Sequence, residues 1–224
     1  MLVELQAHTG AKLVLLYAIL FLAGEHALLL APTAQGKTEA AFLPLLSRML
    51  TEEWKGLSVL YVCPLRALLN NLHPRLERYA GFVGRRAGLW HGDVADSVRR
   101  RILSDPPDVL LTTPESIEVM LTSRRVDRPW LFGNLRAVVI DELHAFAGDD
   151  RGWHLLSVLE RVARFAGRDV QRVGLSATIG NPEALLEWLS GSSGGTRRVV
   201  VAPQGPVADA DVKVDHVGGI ENAA

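Results

Sequence analysis

Hydrophobic positions in this chain fall into short continuous runs, and each run is followed by a segment whose apolar residues recur at helical spacing. The runs predict buried β-strands and the segments predict amphipathic helices. Strands that alternate with helices in this way are typical of a parallel sheet covered by helices on both faces. The fold class is therefore α/β. Strands are predicted at 27–30, 57–62, 87–90, 108–111, 135–140, 170–175 and 199–201, and helices from Glu39 onward, at 67–79 and 96–103, from Pro114 onward, and at 153–165 and 182–189.

The two ends of the chain differ from this alternating middle. Residues 1–23 contain the longest apolar run, at 13–23, which is shorter than the ~20 residues needed to span a membrane. We expect an N-terminal apolar helix that packs on the domain and no membrane partner; a signal-peptide core is the alternative. From Ala202 onward the periodicity stops, and residues 202–224 are predicted to be a linker or tail after one domain at 24–201.

Composition narrows the possibilities without naming a function. A chain of 224 residues fits one domain, and the hydrophobic fraction of 48% is explained by strands that are buried on both faces. The net charge of −1 gives no overall basic surface, so any contact with nucleic acid must come from local clusters. The single cysteine, Cys63, excludes an intramolecular disulfide, fits a reducing cytoplasm and is expected to be a packing residue.

The segment between the first strand and the first helix has the pattern of a phosphate-binding loop. Backbone N–H groups of such a loop and of the following helix point at an anion. Lys37 is expected to reach the β- and γ-phosphates, and the Thr38 hydroxyl is expected to bind Mg²⁺. An ordinary turn with an exposed lysine is the alternative. The predicted nucleotide-binding residues are Ala31, Pro32, Thr33, Ala34, Gln35, Gly36, Lys37 and Thr38.

Two adjacent carboxylates, Asp141 and Glu142, end the predicted strand at 135–140. Because the carboxyl ends of parallel strands share one edge of the sheet, these residues should lie near Lys37 and Thr38. Asp141 then suits Mg²⁺, and Glu142 suits polarising the water that attacks the γ-phosphate. We therefore predict that Lys37, Asp141 and Glu142 are catalytic; a solvated acidic turn is the alternative.

Five motifs in order along the chain carry a family resemblance. After the phosphate loop come Cys63–Leu68, Thr112–Glu115, the Asp141–His144 box and Ser176–Thr178. Over about residues 24–201 the chain resembles the first RecA-like domain of a superfamily 2 helicase of the DExH type. The segment Asp150–Leu155 makes it most similar to the large-helicase-related family.

This resemblance implies a RecA-like P-loop NTPase domain that uses ATP and Mg²⁺ and hydrolyses ATP for a nucleic-acid helicase or translocase. It implies single-stranded or tailed DNA as a partner, together with a second RecA-like domain in cis or in trans. Residues implied to couple hydrolysis to strand movement are His144, Ser176, Ala177 and Thr178, and those implied to contact nucleic acid are Pro64, Arg66, Thr113, Pro114 and Glu115.

Three departures from the family pattern stand out. The loop carries Ala34-Gln35 where the family has Gly-Ser, and alanine adopts positive φ less readily than glycine. The glutamine that reads adenine should fall near Val14, whereas Gln6 is the nearest one. The second RecA-like domain is not within these 224 residues, so we expect weak activity from this chain alone.

Alternatives remain open for both the function and the surface. A small-molecule P-loop kinase is disfavoured because no lid or acceptor site is visible, and a non-catalytic nucleotide-binding or partner-binding module is the other candidate. Arginines occur at 99–101, 124–125 and 128, where a solvated helix face is the favoured interpretation. Trp90 and Trp130 are expected in the core or at its rim rather than stacked on bases.

Overall fold

The computed structural model describes residues 24–32, 36–177 and 179–201. The predicted N-terminal helix at 1–23 and the predicted tail at 202–224 lie outside the described residues, as do 33–35 of the phosphate loop and Thr178. In the part of the chain that is described, no helix is long and apolar enough to cross a membrane.

The described residues form a seven-stranded sheet in which every pairing is parallel, as the strand and helix alternation predicted. The spatial order is β3-β4-β2-β5-β6-β1-β7. The strands are β1 (His26–Leu30), β2 (Val59–Val62), β3 (Ala87–Trp90), β4 (Val109–Thr112), β5 (Ala137–Ile140), β6 (Gln171–Ser176) and β7 (Arg197–Val201).

Helices connect the strands, and two short elements among them were not predicted. The predicted helix at 153–165 in fact begins at Asp150, because the Asp149 carboxylate accepts a hydrogen bond from the Gly152 N–H and caps its first turn. The helices are α1 (Lys37–Thr51), α2 (Arg66–Phe82), α3 (Asp96–Ser104), α4 (Pro114–Thr122), α5 (Arg128–Phe132), α6 (Asp150–Ala166) and α7 (Pro182–Ser190), and a 3₁₀ turn covers Leu143–Ala145. The unpredicted elements are α5 and the 3₁₀ turn.

Two hydrophobic clusters cover the two faces of the sheet. Strand side chains alternate between them, so that Tyr61 packs with α1 and α2 while Leu60 packs with the cluster that includes α3 to α7. Cys63 is fully buried in the first cluster, and burial raises its thiol pKa, in agreement with the predicted packing role.

The sheet register brings the predicted motifs to one edge. Val62, the last residue of β2, pairs with Ile140 of β5 and with Thr112 of β4, and Leu30 pairs with Ser176. The loops that follow these strands therefore leave the sheet side by side at its carboxyl edge, which is where open α/β sheets bind ligands.

Candidate functional site

The described part of the phosphate loop leads directly into α1. Gly36 has φ 78°, a left-handed conformation that glycine adopts at little cost, and helix α1 begins at Lys37. The Lys37 side chain is buried, and its Nζ donates a hydrogen bond to the Ala31 carbonyl at 2.8 Å. The amine therefore lies folded against the start of the loop. Thr33, Ala34 and Gln35 lie outside the described residues; Pro32 is exposed.

Tyr61 of β2 contacts the acidic box, which is the segment Asp141–His144. Its hydroxyl donates to Asp141 Oδ2 at 2.8 Å, and the Thr38 side chain offsets part of the rise in the Tyr61 pKa that burial and the Asp141 charge cause. Asp141 Oδ1 accepts the Glu142 backbone N–H at 2.9 Å. The two residues predicted to bind Mg²⁺, Thr38 and Asp141, thus both lie near enough to Tyr61 to influence its pKa.

Electrostatics at Asp141 favour a bound cation. Burial raises the pKa of this carboxyl above its ordinary value, and the hydrogen bond from Tyr61, the Glu142 N–H and the charge of Lys37 offset that rise only in part. A cation beside the carboxylate would relieve the cost of its burial. Among the described residues no cluster of three or more acidic, histidine or cysteine side chains could hold a metal ion by itself. Thr38 and Asp141, the two predicted protein ligands, fit Mg²⁺, which is commonly bound by one or two protein groups together with phosphates and waters.

Glu142 occupies a strained backbone position. It has φ 49° and ψ 46°, the left-handed region that residues other than glycine rarely adopt. This conformation directs the chain from β5 into the 3₁₀ turn. Strain of this kind clusters at functional sites, where the surrounding structure holds it in place.

His144 lies between the acidic box and the end of β6. Its Nδ1 is 3.2 Å from Ser176 Oγ and 3.4 Å from Glu142 Oε2. Ser176 is fully buried, and its carbonyl accepts the Ala31 N–H at 3.2 Å, while Ala177 is partly buried. The contact between His144 and Ser176 is the one that the resemblance implies; Thr178 lies outside the described residues.

A groove of about 520 Å³ lies beyond the ends of β2, β3 and β4. Of the residues predicted to contact nucleic acid, Pro64, Arg66, Thr113 and Glu115 line it. Thr113 caps α4 by accepting the Ser116 N–H, and Pro114 is buried as the first residue of that helix. Strand ends and helix N-termini of this kind suit contacts to a phosphate backbone.

Three arginines line the groove, each paired with a carboxylate. Arg66 donates to Asp93 at 2.8 Å, Arg99 lies 2.8 Å from Asp96, and Arg151 donates to Glu115 at 2.9 Å. Arg99 belongs to the arginine run expected to be a solvated face; the other two arginines of that run are exposed. Ion pairs this exposed contribute at most about 1 kcal/mol, so the arginines can exchange partners.

Comparison with known proteins identifies the family. The sequence model described as DEAD/DEAH box helicase matches residues 15–185. This chain belongs to that helicase family. The match begins within the segment predicted to be an N-terminal helix and includes both the phosphate loop and the acidic box.

Relatives of this helicase domain are much longer proteins. The Lhr helicase/probable uracil glycosylase of Mycolicibacterium smegmatis is 37% identical over 206 residues, which are 85% of this chain and 13% of that protein. The ATP-dependent helicase Lhr-Core of Methanothermobacter thermautotrophicus is 34% identical over 191 residues, 78% of this chain and 22% of its own length. The predicted resemblance to large-helicase-related proteins is therefore confirmed.

A solved relative supports the same fold for the helicase domain. The structure of Mycobacterium smegmatis helicase Lhr bound to ssDNA and AMP-PNP matches with a TM-score of 0.71 and 33% identity, and covers 88% of this chain and 28% of that one. The helicase MrfA bound to DNA and AMPPNP matches with a TM-score of 0.72 and 28% identity, over 84% and 26% of the respective chains. The predicted RecA-like α/β fold is confirmed.

Two side chains of the helicase domain were not singled out from the sequence. The sequence places Tyr61 only in a strand, although it is the one residue with a polar tip in the run 59–62, and a buried tyrosine hydroxyl usually finds a partner. Arg151 was noted only as part of the family segment. Its partners, Pro64 and Glu115, are 87 and 36 positions away in the sequence, a separation that no local pattern reveals.

Proposed function

We propose that this chain is the ATP-binding and ATP-hydrolysing domain of a DNA helicase or translocase that works with a second RecA-like domain. The observation that carries the proposal is the proximity of Lys37 to Asp141, whose carboxylate also accepts a hydrogen bond from the Tyr61 hydroxyl. This proximity supports a single nucleotide site built from the phosphate loop and the acidic box. Family membership and the nucleotide analogues in solved relatives support ATP as its ligand.

The nucleotide would be held from two sides. The Lys37 amine, now on the Ala31 carbonyl, would exchange that acceptor for phosphate oxygens, which form stronger, charge-assisted bonds. The Thr38 hydroxyl and the Asp141 carboxylate would hold Mg²⁺, directly or through water. Magnesium, when bound, supplies positive charge that offsets the charge developing on the phosphates.

Glu142 and His144 would link ATP hydrolysis to the end of β6. The Glu142 carboxylate would orient the attacking water and accept its proton. His144 lies 3.4 Å from that carboxylate and 3.2 Å from Ser176. A movement of Glu142 would therefore shift His144 against the end of β6, which leads to Ala177 and Thr178. This path supports coupling of hydrolysis to movement of the neighbouring domain.

The groove beyond β2, β3 and β4 would hold the DNA backbone. Its arginines and the capped start of α4 recognise phosphate without reading sequence. Binding should therefore weaken steeply as salt concentration rises. The DNA in the structures of Lhr and MrfA supports this partner for the present chain.

Hydrolysis should require the second domain. An arginine finger that stabilises charge on the γ-phosphate is worth ~10³–10⁵ in rate, and the resemblance implies that it comes from that domain. We expect the 224-residue chain to bind Mg·ATP modestly, to hydrolyse it very slowly and not to unwind a tailed duplex. Unwinding by the isolated monomer, free of contaminating helicase, would contradict the two-domain mechanism.

Replacement of Lys37 tests the nucleotide site. Loss of a charge-assisted contact costs about 1.5–3 kcal/mol, so Lys37→Ala should weaken Mg·ATP binding roughly 10- to 150-fold in titration calorimetry. Lys55→Ala is the matched control, because Lys55 is an exposed lysine outside the site. Equal affinity in the parent and in Lys37→Ala would refute the assignment, and binding without strand-stimulated turnover after the second domain is added would favour a non-catalytic module.

A further inference from the structure

Arg151 contacts three separate motifs from one position in the first turn of α6. Its Nη2 donates to the Pro64 carbonyl at 2.9 Å and to Glu115 Oε1 at 2.9 Å. Its guanidinium carbon lies 5.5 Å from the centre of the Phe146 ring. Pro64 follows β2, Glu115 opens α4, and Phe146 follows the acidic box. One side chain therefore ties both walls of the groove to the turn that carries Glu142.

The geometry of this contact depends on the arginine fork. A single guanidinium nitrogen carries two hydrogens in one plane, and here each hydrogen has its own acceptor. One group therefore bridges the loop after β2 and the start of α4. A lysine at the same position would keep the positive charge without this planar geometry.

The link from Arg151 to the acidic box is close-packed. Phe146 is fully buried, and Asp149 caps the helix two residues before Arg151. A Cβ added at Gly152 would overlap the Phe146 carbonyl oxygen, so the start of α6 and the turn at Phe146 leave no room for a side chain between them. A displacement of the turn at Phe146 would therefore press on the start of α6, where Arg151 lies.

The partner of Arg151 in the groove is exchangeable. The Arg151 and Glu115 side chains are 42% and 54% exposed, so their ion pair contributes at most about 1 kcal/mol. Burial raises the pKa of Glu115, but hydrogen bonds from its own N–H, from Arg151 and from Thr113 outweigh that effect and keep it below the ordinary value. A DNA phosphate in the groove would compete with this carboxylate for the guanidinium.

We propose that Arg151 is a positioning residue that couples the groove beyond β2, β3 and β4, where the DNA strand would bind, to the nucleotide site. An arriving phosphate draws the guanidinium from Glu115, the contact with Pro64 shifts, and the packed turn at Phe146 transmits the change to Glu142. The inference rests on the proposed function. Because coupling between two binding sites is reciprocal, bound strand should change the affinity for Mg·ATP by the same factor as nucleotide changes the affinity for strand.

The experiment measures this factor directly in the 224-residue chain. The dissociation constant of Mg·ATP is determined by calorimetry without and with saturating single-stranded oligodeoxythymidine, and the two values are expressed as a ratio. We expect a ratio of about 5 or more in the parent, within the usual range for coupled sites. Arg151→Ala should bring it to about 1, and Arg151→Lys should stay near that value while keeping the parent's salt dependence of strand binding.

Arg164→Ala is the matched control, because Arg164 is an exposed arginine near the other end of the same helix. It should retain the parent ratio. Circular dichroism melting checks that each variant is folded, so a loss of coupling is not a loss of structure.

Separate outcomes overturn separate claims. The inference would be overturned, and the proposed function left intact, if Arg151→Ala kept the same ratio of Mg·ATP dissociation constants as the parent chain. Full recovery of coupling in Arg151→Lys would have the same consequence. So would a variant that loses only strand affinity, with a salt slope reduced by about 1, because that result marks a simple phosphate contact. Failure of the parent chain to bind the oligonucleotide would overturn the proposed function and this inference together.

Discussion

Replacement of Tyr61 by phenylalanine tests whether its hydroxyl assembles the nucleotide site. The substitution removes one oxygen from a fully buried ring and leaves the packing of the ring unchanged. It deletes the hydrogen bond to Asp141 Oδ2. Asp141 keeps only the Glu142 N–H as a hydrogen-bond donor in the described structure.

The expected magnitude follows from the burial of both partners. A hydrogen bond to a charged group contributes about 1.5–3 kcal/mol, and a buried carboxylate that loses a donor has little water to replace it. Tyr61→Phe should therefore lower the free energy of unfolding by about 1.5–3 kcal/mol. Because the Tyr61 hydroxyl no longer orients the Asp141 carboxylate, Mg·ATP affinity should also fall by roughly fivefold, which is about 1 kcal/mol.

Tyr79→Phe supplies a matched control for the same chemical change. The Tyr79 hydroxyl also donates to a carboxylate, that of Glu39, at 3.2 Å, but it lies on α2 outside the acidic box and is only half-buried. Urea unfolding and calorimetry on both variants separate the general loss of a hydroxyl from the loss of this one. Equal Mg·ATP affinity in Tyr61→Phe and Tyr79→Phe would refute the claim that Tyr61 organises the site.

Two further substitutions test the acidic box. Glu142→Gln keeps the shape of the side chain, so Mg·ATP binding should be nearly retained while turnover falls by ~10²-fold or more once the second domain is present; the exposed Glu187→Gln is the control, and unchanged turnover would move the role elsewhere. For Asp141, burial raises the folded-state pKa above the unfolded value, so the free energy of unfolding falls as pH rises between those two values. Asp141→Asn removes that loss, and its stability relative to the parent should rise with pH across the interval and then level off in urea titrations; a difference that does not change with pH would contradict this.

The fold was predictable because most of the strands contain a continuous apolar run. Strand β3 matches its predicted bounds, and β2 and β5 each begin two residues later than predicted, since the first residues of those runs pack before regular pairing starts. The short helix α5 was missed because five residues give no helical periodicity. Its start is nevertheless marked locally, by Asp127 as a cap and Pro129 in the first turn.

The residues of the candidate site differ in whether the sequence alone predicts them. The sequence predicts roles for Lys37, Asp141 and Glu142 because a phosphate loop and an acidic pair that follow strands have a recognisable pattern. Tyr61 and Arg151 make contacts between segments that are distant in the chain, and such contacts appear only when the register of the sheet is known. The left-handed backbone of Glu142 was likewise hidden, since glutamate carries no signal for positive φ.

Two unfavourable contributions to folding fall on neighbouring residues of the acidic box. Asp141 carries a charge whose burial is unfavourable, and Glu142 adopts a backbone conformation that costs of order 1–3 kcal/mol. Both follow β5, which is paired on each side by β2 and β6 and is buried along its whole length. A rigid central strand can hold such strain without unfolding. A cation at Asp141 would offset the first cost, so the folded state is better matched to the loaded nucleotide site than to the empty one.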